Sequence, residues 1–579
     1  MSNSHSRPWW KEATIYQIYP ASFLDTTGTG LGDIRGIISK IPYIRSLGVD
    51  ALWLSPIFAS PQHDMGYDVA DYRAIHEPYG SVEDVQELID TLHENNMRLL
   101  LDLVVNHTSS EHAWFKESRC SRTSPKREWY IWRDPKYDPS TGQRKPPNNW
   151  KSLFGGSAWQ FDPLTGQYYL ALFLPTQPDL NWENEDMRRA AYEDMRFWLD
   201  RGVDGFRIDS MNLMSKHPDL PDGEVVDPTQ EFQSGAEFFA SGPRMHEYLK
   251  EMREEVFDTY GRDIMTVGEL GFIKDEQSVA PYVANDRKEL NMVFTGDIAD
   301  MDFGPGHKYD RGDFHPRKIR RITNLWQMAM PKFDGWNAVY LDNHDSGRSL
   351  SRYASDSPEH RATAAKMLAT YMMTLSGTPF LLAGQEIGMA NLGREYGLDA
   401  YIDVEGRNRY SEVLAARGGD HAAMDDFMRE LQLKSRDHGR LPMQWDDSPH
   451  GGFTAPDAKP WMTVNGDYHG WNVAAQLDDP DSVMAFWKKM IALRKEYKEL
   501  FVYGAYRPLD EEQTGEMVLG YVRETRGESA VVLLNFSDVE QTVQIEEYQH
   551  VVLVNESCAL VDGRAILSPF GALVLYRST

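Results

Sequence analysis

The residues of this chain best suited to chemistry are an arginine and an aspartate two positions apart, Arg207 and Asp209, at the end of an apolar run. Period-2 geometry puts both side chains on one face of a strand. Burying two charges at a strand end is costly unless they are paired and hydrogen-bonded. A structural ion pair is one interpretation of this hexapeptide, and a functional site is the other.

Other apolar runs also end on polar residues. One run ends on Asp102 and is followed by Asn106 and His107, another ends on Glu269, and a third is followed by Asp342, Asn343, His344 and Asp345. Any one of these is weak evidence, but four in strand order are hard to attribute to stability. If these strand ends lie side by side, they bring together three carboxylates, and three carboxylates at one site suit glycoside hydrolysis. They are Asp209, Glu269 and Asp345.

Retaining glycosidases need a nucleophile and a general acid/base roughly 5–5.5 Å apart. Two negative charges at such a short distance repel each other and raise the pKa of one carboxyl group, so that this group stays protonated near neutral pH. The alternative is a metal site, because Asp, Glu and His are ligands of hard cations and of zinc. Arg207 argues against that alternative, since a guanidinium beside Asp209 keeps the carboxylate ionised, as a nucleophile must be.

Short apolar runs alternate with longer amphipathic ones, which predicts parallel strands joined by crossover helices. We predict strands at 14–19, 51–54, 98–105, 205–208, 264–268, 292–294, 338–341 and 379–382. The predicted helices are 33–47, 81–95, 187–201, 241–260, 315–330, 359–375 and 481–498. Eight units in order favour a (β/α)8 TIM barrel, in which catalytic groups sit at the C-terminal strand ends. A doubly wound sheet is the alternative on pattern alone.

Two regions depart from this rhythm. Residues 106–174 are rich in Pro, Trp, Asn, Gly and Tyr, which predicts an irregular domain B inserted after the third strand. Short strand-like runs beyond residue 501 predict a C-terminal antiparallel β domain. The predicted domains are therefore a barrel over 1–105 and 175–500, the insertion 106–174 and a β-sandwich over 501–579.

The formal net charge of the 579 residues is −28, which argues against nucleic-acid or anionic-membrane partners and fits a small neutral substrate. The two cysteines, Cys120 and Cys558, are too few for a disulfide framework and favour a reducing compartment. No signal-peptide core or transmembrane-length apolar run occurs. We therefore expect a cytoplasmic protein.

The motifs resemble those of the α-glucosidases of glycoside hydrolase family 13, in the oligo-1,6-glucosidase and maltase branch. The shared motifs are GYD (66–68), DLVVNH (102–107), QPDLN (177–181), GFRID (205–209), TVGE (266–269), NHD (343–345), GQEIGM (384–389) and SRD…PMQW (435–445). The resemblance runs from about Trp9 into the C-terminal domain. The motif QPDLN is typical of this branch rather than of endo-acting amylases.

The resemblance implies a retaining exo-acting α-glucosidase that releases glucose from the non-reducing end of short α-glucosides. Asp209 would be the nucleophile, Glu269 the acid/base, and Asp345 would hold sugar hydroxyls in the transition state. The implied substrate-binding residues are Arg207, His107 and His344 around the glucose, Tyr67 beneath it, and an Asp68–Arg436 pair that closes the pocket. Domain B would form one pocket wall.

The sequence departs from the family pattern in the first barrel loop, where relatives often hold calcium or magnesium. Residues 25–33 keep Asp25 and Asp33 but replace two oxygen ligands with Thr27 and Thr29. Hard cations need several oxygens and favour charged ones. We therefore expect a weak or absent metal site and no cofactor.

Other departures bear on specificity. Ser210 resembles the threonine of maltases more than the valine of 1,6-selective relatives, which favours α-1,4 linkages. Ser346 and Ala171 replace larger or polar residues, which predicts an open acceptor side and some transglucosylation. The alternatives are a sucrose isomerase or a trehalose or trehalulose synthase of the same family. A non-catalytic transporter heavy chain is disfavoured, because all three acids are present without a membrane anchor.

Overall fold

The computed structural model, which describes residues 7–545, 550–555 and 558–578, contains one sheet of eight parallel strands. The strands are β1 Ile15–Ile18, β2 Ala51–Leu54, β3 Arg98–Leu103, β4 Gly205–Ile208, β5 Met265–Leu270, β6 Met292–Thr295, β7 Ala338–Val339 and β8 Thr378–Leu382. Their order is β6-β5-β4-β3-β2-β1-β8-β7, and a parallel bridge between Val293 and Asn337 joins the two ends. The predicted barrel is confirmed.

The strands are apolar because helices cover the outside of the barrel and side chains fill its inside. Every residue of β1, β2, β4, β6 and β8 is buried. Strands buried on both faces lose the polar alternation of half-exposed strands. The polar exceptions, such as Gln17 on β1 and Arg207 on β4, therefore need partners inside the protein.

Each predicted helical stretch overlaps a helix of the structure, but the helices Glu276–Val283, Val404–Ala416 and Asp425–Lys434 occur where the sequence pattern predicts none. The main ones are Ile34–Ser39, Ile41–Leu47, Val82–Glu94, Glu185–Leu199, Met245–Glu255, Glu276–Val283, Pro316–Ala329, Arg361–Thr374, Val404–Ala416, Asp425–Lys434 and Val483–Glu496. The helix predicted over 33–47 is two helices that meet at Lys40. Pro42 explains the break, because it has no amide hydrogen to continue the first helix.

Residues 106–174 are less irregular than predicted. They contain the helix Ala113–Arg119 and a three-stranded antiparallel sheet of Trp132–Arg133, Trp159–Asp162 and Gln167–Leu170. Each of these strands has at most four residues, too short for a period-2 pattern to stand out among Gly, Pro and Asn. The segment joins the barrel where β3 ends.

The C-terminal region forms two antiparallel sheets, as predicted. The five-stranded sheet holds Ala505–Pro508, Val518–Glu524, Glu528–Asn535, His550–Val554 and Ala572–Ser578, and the three-stranded sheet holds Gln541–Gln544, Ala559–Val561 and Arg564–Leu567. The Tyr521 hydroxyl bonds Thr374 of a barrel helix, which ties the first sheet to the barrel. None of the helices in the described part of the chain is long and apolar enough to cross a membrane.

Candidate active site

A cavity of about 790 Å³ opens where the barrel strands end at their C-terminal side. Asp209 follows β4, Glu269 lies near the end of β5, and Asp345 follows β7, and all three line this cavity. Phe154 and Phe173 of the inserted segment form part of the opposite wall. The barrel thus brings together carboxylates that are far apart in sequence.

Arg207 connects the carboxylates of the cavity. Its Nη1 lies 2.8 Å from Asp102 Oδ1 and 2.7 Å from Asp209 Oδ1, and its Nη2 lies 2.9 Å from Glu269 Oε2. The guanidinium is only 2% exposed. Because one planar cation contacts both Asp209 and Glu269, it holds the two carboxyl groups near each other.

The electrostatics of this cluster differ from those of a surface ion pair. Burial raises the pKa of Asp209 to about 6, against the opposing effect of Arg207 and with repulsion from Asp102. Burial also raises the pKa of Glu269, with further repulsion from Asp209 and Asp345. Both pKa values are thus shifted upwards from the ordinary carboxyl range, which is the direction that a general acid requires.

Asp345 is held in the opposite protonation state. Its carboxylate lies 3.0 Å from His344 Nε2, 2.9 Å from Arg440 Nη2 and 3.3 Å from Arg436 Nη1. Although burial opposes them, these three groups hold the pKa of Asp345 well below its usual range. Asp345 is therefore ionised near neutral pH and can accept hydrogen bonds from sugar hydroxyls.

Ser210 occupies a strained position directly after Asp209. Its φ of 42° lies in the left-handed region, which residues other than glycine rarely adopt. This conformation aims the Ser210 amide at Glu269, whose Oε2 accepts its hydrogen at 3.0 Å. Strain of this kind collects at functional sites, where the surrounding structure enforces it.

Tyr67, His107 and His344 surround the same region. Tyr67 donates its hydroxyl hydrogen to Asp102 Oδ2 at 2.9 Å and lines the cavity with His107. The Tyr67 ring stacks on His344 with centroids 5.3 Å apart. His344 itself is fully buried and is not among the residues that line the cavity, so its contacts reach the site through Tyr67 and Asp345.

The predicted pairing of Asp68 with Arg436 is wrong. Among the described residues, the ion pairs of Arg436 are with Asp403 at 2.6 Å, Asp345 at 3.3 Å, Asp64 at 3.5 Å and Glu405 at 3.6 Å. Asp68 is buried and instead accepts hydrogen bonds from Ser60 Oγ and from the His63 and Asp64 amides. Its carboxylate holds the turn that presents Asp64, which lines the cavity.

Sequence reasoning gave no role to Asp102, Asp403 or Arg440. Asp102 is the last residue but one of β3 and belongs to the motif DLVVNH, so its position near the strand end is a usable signal. Arg440 contacts both Asp345 and Asp403 from a segment without periodic pattern, and only the folded chain brings these groups together. Ser346 and Ala171, in contrast, are buried and absent from the cavity lining, so they do not support an open acceptor side.

The loop that often holds a cation in relatives does not fit one here. Asp25 accepts hydrogen bonds from the amides of Thr27, Gly28 and Gly30 at 2.7–2.9 Å and from the Thr454 hydroxyl. Asp33 accepts from the amides of Thr26 and Gly36 and caps the helix Ile34–Ser39. Both carboxylates are satisfied by donors, whereas a cation needs free acceptors.

This barrel and its buried carboxylates define a glycoside hydrolase. Residues 17–504 match the family model of the alpha-amylase catalytic domain, so the chain belongs to the alpha-amylase family, glycoside hydrolase family 13. It is 44% identical over 530 residues to an alpha-glucosidase of Schizosaccharomyces pombe, covering 91% of this chain and 90% of the relative. It is 45% identical over 542 residues to an oligo-1,6-glucosidase of Parageobacillus thermoglucosidasius, with 94% and 93% covered.

Solved structures of this family are closely similar. A trehalose-6-phosphate hydrolase variant of Bacillus licheniformis superposes with a TM-score of 0.90 at 41% identity, over 98% of this chain and 100% of that one. An isomaltulose synthase variant of Erwinia rhapontici, in complex with sucrose, gives a TM-score of 0.91 at 37% identity over 99% of both chains. The shared fold therefore serves several α-glucoside reactions, and the site must decide among them.

Proposed function

We propose that this chain is a retaining exo-acting α-glucosidase that removes glucose from the non-reducing end of short α-glucosides. The observation that carries the proposal is the Arg207 guanidinium held between Asp209 and Glu269. Two carboxyl groups that contact one buried guanidinium are held close together, and a retaining mechanism needs its nucleophile and acid/base in such proximity. The α-glucosidases and oligo-1,6-glucosidases among its relatives support the same reaction.

The chemistry proceeds in two displacements. Asp209 attacks the anomeric carbon while Glu269 gives its proton to the leaving oxygen, so that a glucosyl ester forms and the aglycone departs. Glu269, now ionised, takes a proton from water, whose oxygen attacks the same carbon and releases Asp209. Asp345 stabilises the oxocarbenium-like transition states through hydrogen bonds that strengthen there.

The exo mode is supported by the contacts of Arg436. This side chain contacts Asp64 and Asp345, which line the cavity beside the reactive carboxylates, and Asp403, which is buried and does not line it. A bridge there leaves room for the terminal glucose and blocks a sugar beyond it. Linkage preference depends on the leaving-group side, where Ser210 favours α-1,4 substrates.

A neutral substrate fits the charge of the cavity better than a phosphorylated one. The carboxylates of the wall outnumber its lysines and arginines; they are Asp64, Asp209, Glu269, Asp300, Asp342, Asp345 and Glu405. Lys274 pairs with Asp300 at 2.8 Å and Lys308 with Glu405 at 3.1 Å, so a phosphate would have to compete with a carboxylate for each lysine. This disfavours the substrate named for the trehalose-6-phosphate hydrolase.

The test is the release of glucose from maltose, isomaltose and sucrose by the wild-type enzyme, with Asp209→Asn as the control. We expect maltose to be cleaved faster than isomaltose, with α-glucose as the first anomer seen by NMR. Conversion of sucrose into another disaccharide without free glucose would instead identify an isomerase. Equal inactivity of wild type and control on all three sugars would refute the proposal.

Transglucosylation is the remaining part of the proposal. The glucosyl ester on Asp209 can be attacked by a sugar hydroxyl as well as by water, and Glu269 serves as base in both cases. Product analysis at high maltose should then show trisaccharides beside glucose. Only glucose at every maltose concentration would exclude transfer. A cytoplasmic location stays a prediction.

A further inference from the structure

A buried glutamine inside the barrel contacts the histidine next to Asp345. Gln17 lies on β1 and is 1% exposed, and its side chain points among residues of the barrel interior. Gln17 Nε2 lies 2.8 Å from His344 Nδ1 and 3.3 Å from Ser55 Oγ. A buried side-chain amide needs hydrogen-bond partners, and one partner of Gln17 is the Nδ1 atom of His344, which borders the active site.

The contacts on the other side of His344 determine where its proton lies. His344 Nε2 contacts the Tyr67 hydroxyl oxygen and lies 3.0 Å from Asp345 Oδ2. The single hydroxyl proton of Tyr67 is donated to Asp102 Oδ2 at 2.9 Å, so Tyr67 can only accept from His344. Asp345 is ionised between Arg436 and Arg440 and can also only accept. Nε2 must therefore carry a hydrogen.

The state of Nδ1 then follows from Gln17. A hydrogen on Nδ1 as well would make the ring an imidazolium, while a bare Nδ1 accepts from the Gln17 amide. The cations Arg207 and Arg440 lie near His344. The aromatic rings that contact His344 are those of Tyr19, Tyr67 and Trp53. Burial lowers the pKa of His344 although Asp345 opposes this, which favours the neutral ring.

We propose that Gln17 is a positioning residue that keeps His344 neutral by donating to Nδ1, so that its only ring proton, on Nε2, points at Asp345 and Tyr67. The consequence for the reaction rests on the proposed glucosidase function. A neutral donor orients Asp345 without taking up its negative charge, which stays available to sugar hydroxyls. An imidazolium would draw that charge towards itself and weaken those hydrogen bonds.

The variant that tests this is Gln17→Glu, which is close to isosteric but can only accept from His344. A carboxylate at this position invites a second proton onto Nδ1 and makes the ring cationic. Long-range ¹H–¹⁵N spectra of histidine-labelled protein, assigned with His344→Gln, distinguish the two states without any substrate. The tautomer result therefore remains valid even if the chain is not a glucosidase.

We expect wild type to show a neutral Nε2–H ring and Gln17→Glu to show an imidazolium at pH 7. We expect kcat/KM of Gln17→Glu to fall on the order of 10-fold to 100-fold at pH 7, and to rise again at alkaline pH where the imidazolium loses its extra proton. Gln17→Met, which removes the donor at similar volume, should lower kcat more than it changes KM. Ser55→Ala removes the other partner of Gln17 and serves as the matched control, with a neutral ring and the wild-type pH profile.

Two results would overturn the proposal. One is a wild-type spectrum with an imidazolium or an Nδ1–H ring at pH 7. The other is a neutral ring and an unchanged pH profile in Gln17→Glu, because Gln17 would then only fill space. If that second result came with a fall in the melting temperature of Gln17→Glu, the role of Gln17 would be purely structural.

Discussion

The loop 25–33 and the active-site cavity lie at the same end of this barrel, and both bury carboxylates in opposite electrostatic surroundings. In the loop 25–33, amide and hydroxyl donors satisfy Asp25, and although partial burial works against it, bonds from Thr454, Gly30 and Thr27 lower its pKa. In the cavity, Asp209 and Glu269 share one guanidinium, and burial raises the pKa of both. A carboxylate saturated with neutral donors is structural, whereas one left in competition for a cation is available for chemistry.

The largest effect is expected from removing the shared cation. Arg207→Met leaves Asp102, Asp209 and Glu269 facing one another, and breaking a buried ion pair typically costs about 3–5 kcal/mol. We also expect activity to fall on the order of 10²–10³-fold or more. Urea unfolding and glucose release measure the two losses.

Arg207→Lys is the matched variant, because it keeps the charge but cannot contact all three carboxylates at once. It should recover much of the stability, and the acid limb of its activity should move to higher pH, since the carboxyl groups hold their protons more tightly. Full activity in Arg207→Met would show that the shared cation does not distinguish the cavity carboxylates from those of the loop 25–33.

The second prediction compares how Asp209 of the cavity and Asp25 of the loop 25–33 affect stability as the pH changes. The pKa of Asp209 in the folded protein is about 6, above the usual 3.8, so its proton contributes stability below about pH 4 that is lost as pH rises through about 6. The pKa of Asp25 is lowered, so its contribution is present above the usual range and is lost as pH falls. The two carboxylates therefore have opposite linkage signs.

Asp209→Asn should consequently stabilise the protein at pH 7, on the order of 1 kcal/mol, and have little effect at pH 4. Asp25→Asn should destabilise it at pH 7 by about 1–3 kcal/mol, because buried donors lose their acceptor, and by less at pH 4. Thermal unfolding at both pH values measures this. Two variants with shifts of the same sign would contradict the distinction.

The third prediction tests the same distinction with Asp64 and Asp68, which are four residues apart. Asp64 lines the cavity and contacts Arg436, so Asp64→Asn should raise KM about 10-fold, which corresponds to about 1.4 kcal/mol, with a small change in melting temperature. Asp68 accepts backbone amides inside a turn, so Asp68→Asn should mainly lower the melting temperature. If Asp68→Asn raised KM more than Asp64→Asn at equal stability, the assignment would be reversed.

The pair also shows how far sequence reasoning reaches. The order of the strands and the strand-end carboxylates follow from periodicity, because a parallel strand buried on both faces is apolar and the site lies at the C-terminal strand ends. The pattern alone leaves a doubly wound sheet as the alternative to the barrel. Whether Asp64 or Asp68 meets Arg436 depends on how one turn directs two carboxylates. Neither spacing nor residue type contains that information, and the same holds for Arg440 and for Gln17, whose partners lie far away in sequence.

The smallest effect concerns metal removal. Because donors already occupy the oxygens of Asp25 and Asp33, we expect chelation with EDTA or added calcium to leave activity and melting temperature unchanged. Thr454→Val removes one of these donors from a contact that spans the chain, and it should lower stability by about 1 kcal/mol without making the protein sensitive to EDTA. Thr29→Val, at an exposed position of the same loop, is the control and should have little effect. A melting temperature that drops by several degrees with EDTA would mean that a cation competes with these donors in solution, and the loop would then belong with the cavity as a site of unsatisfied charge.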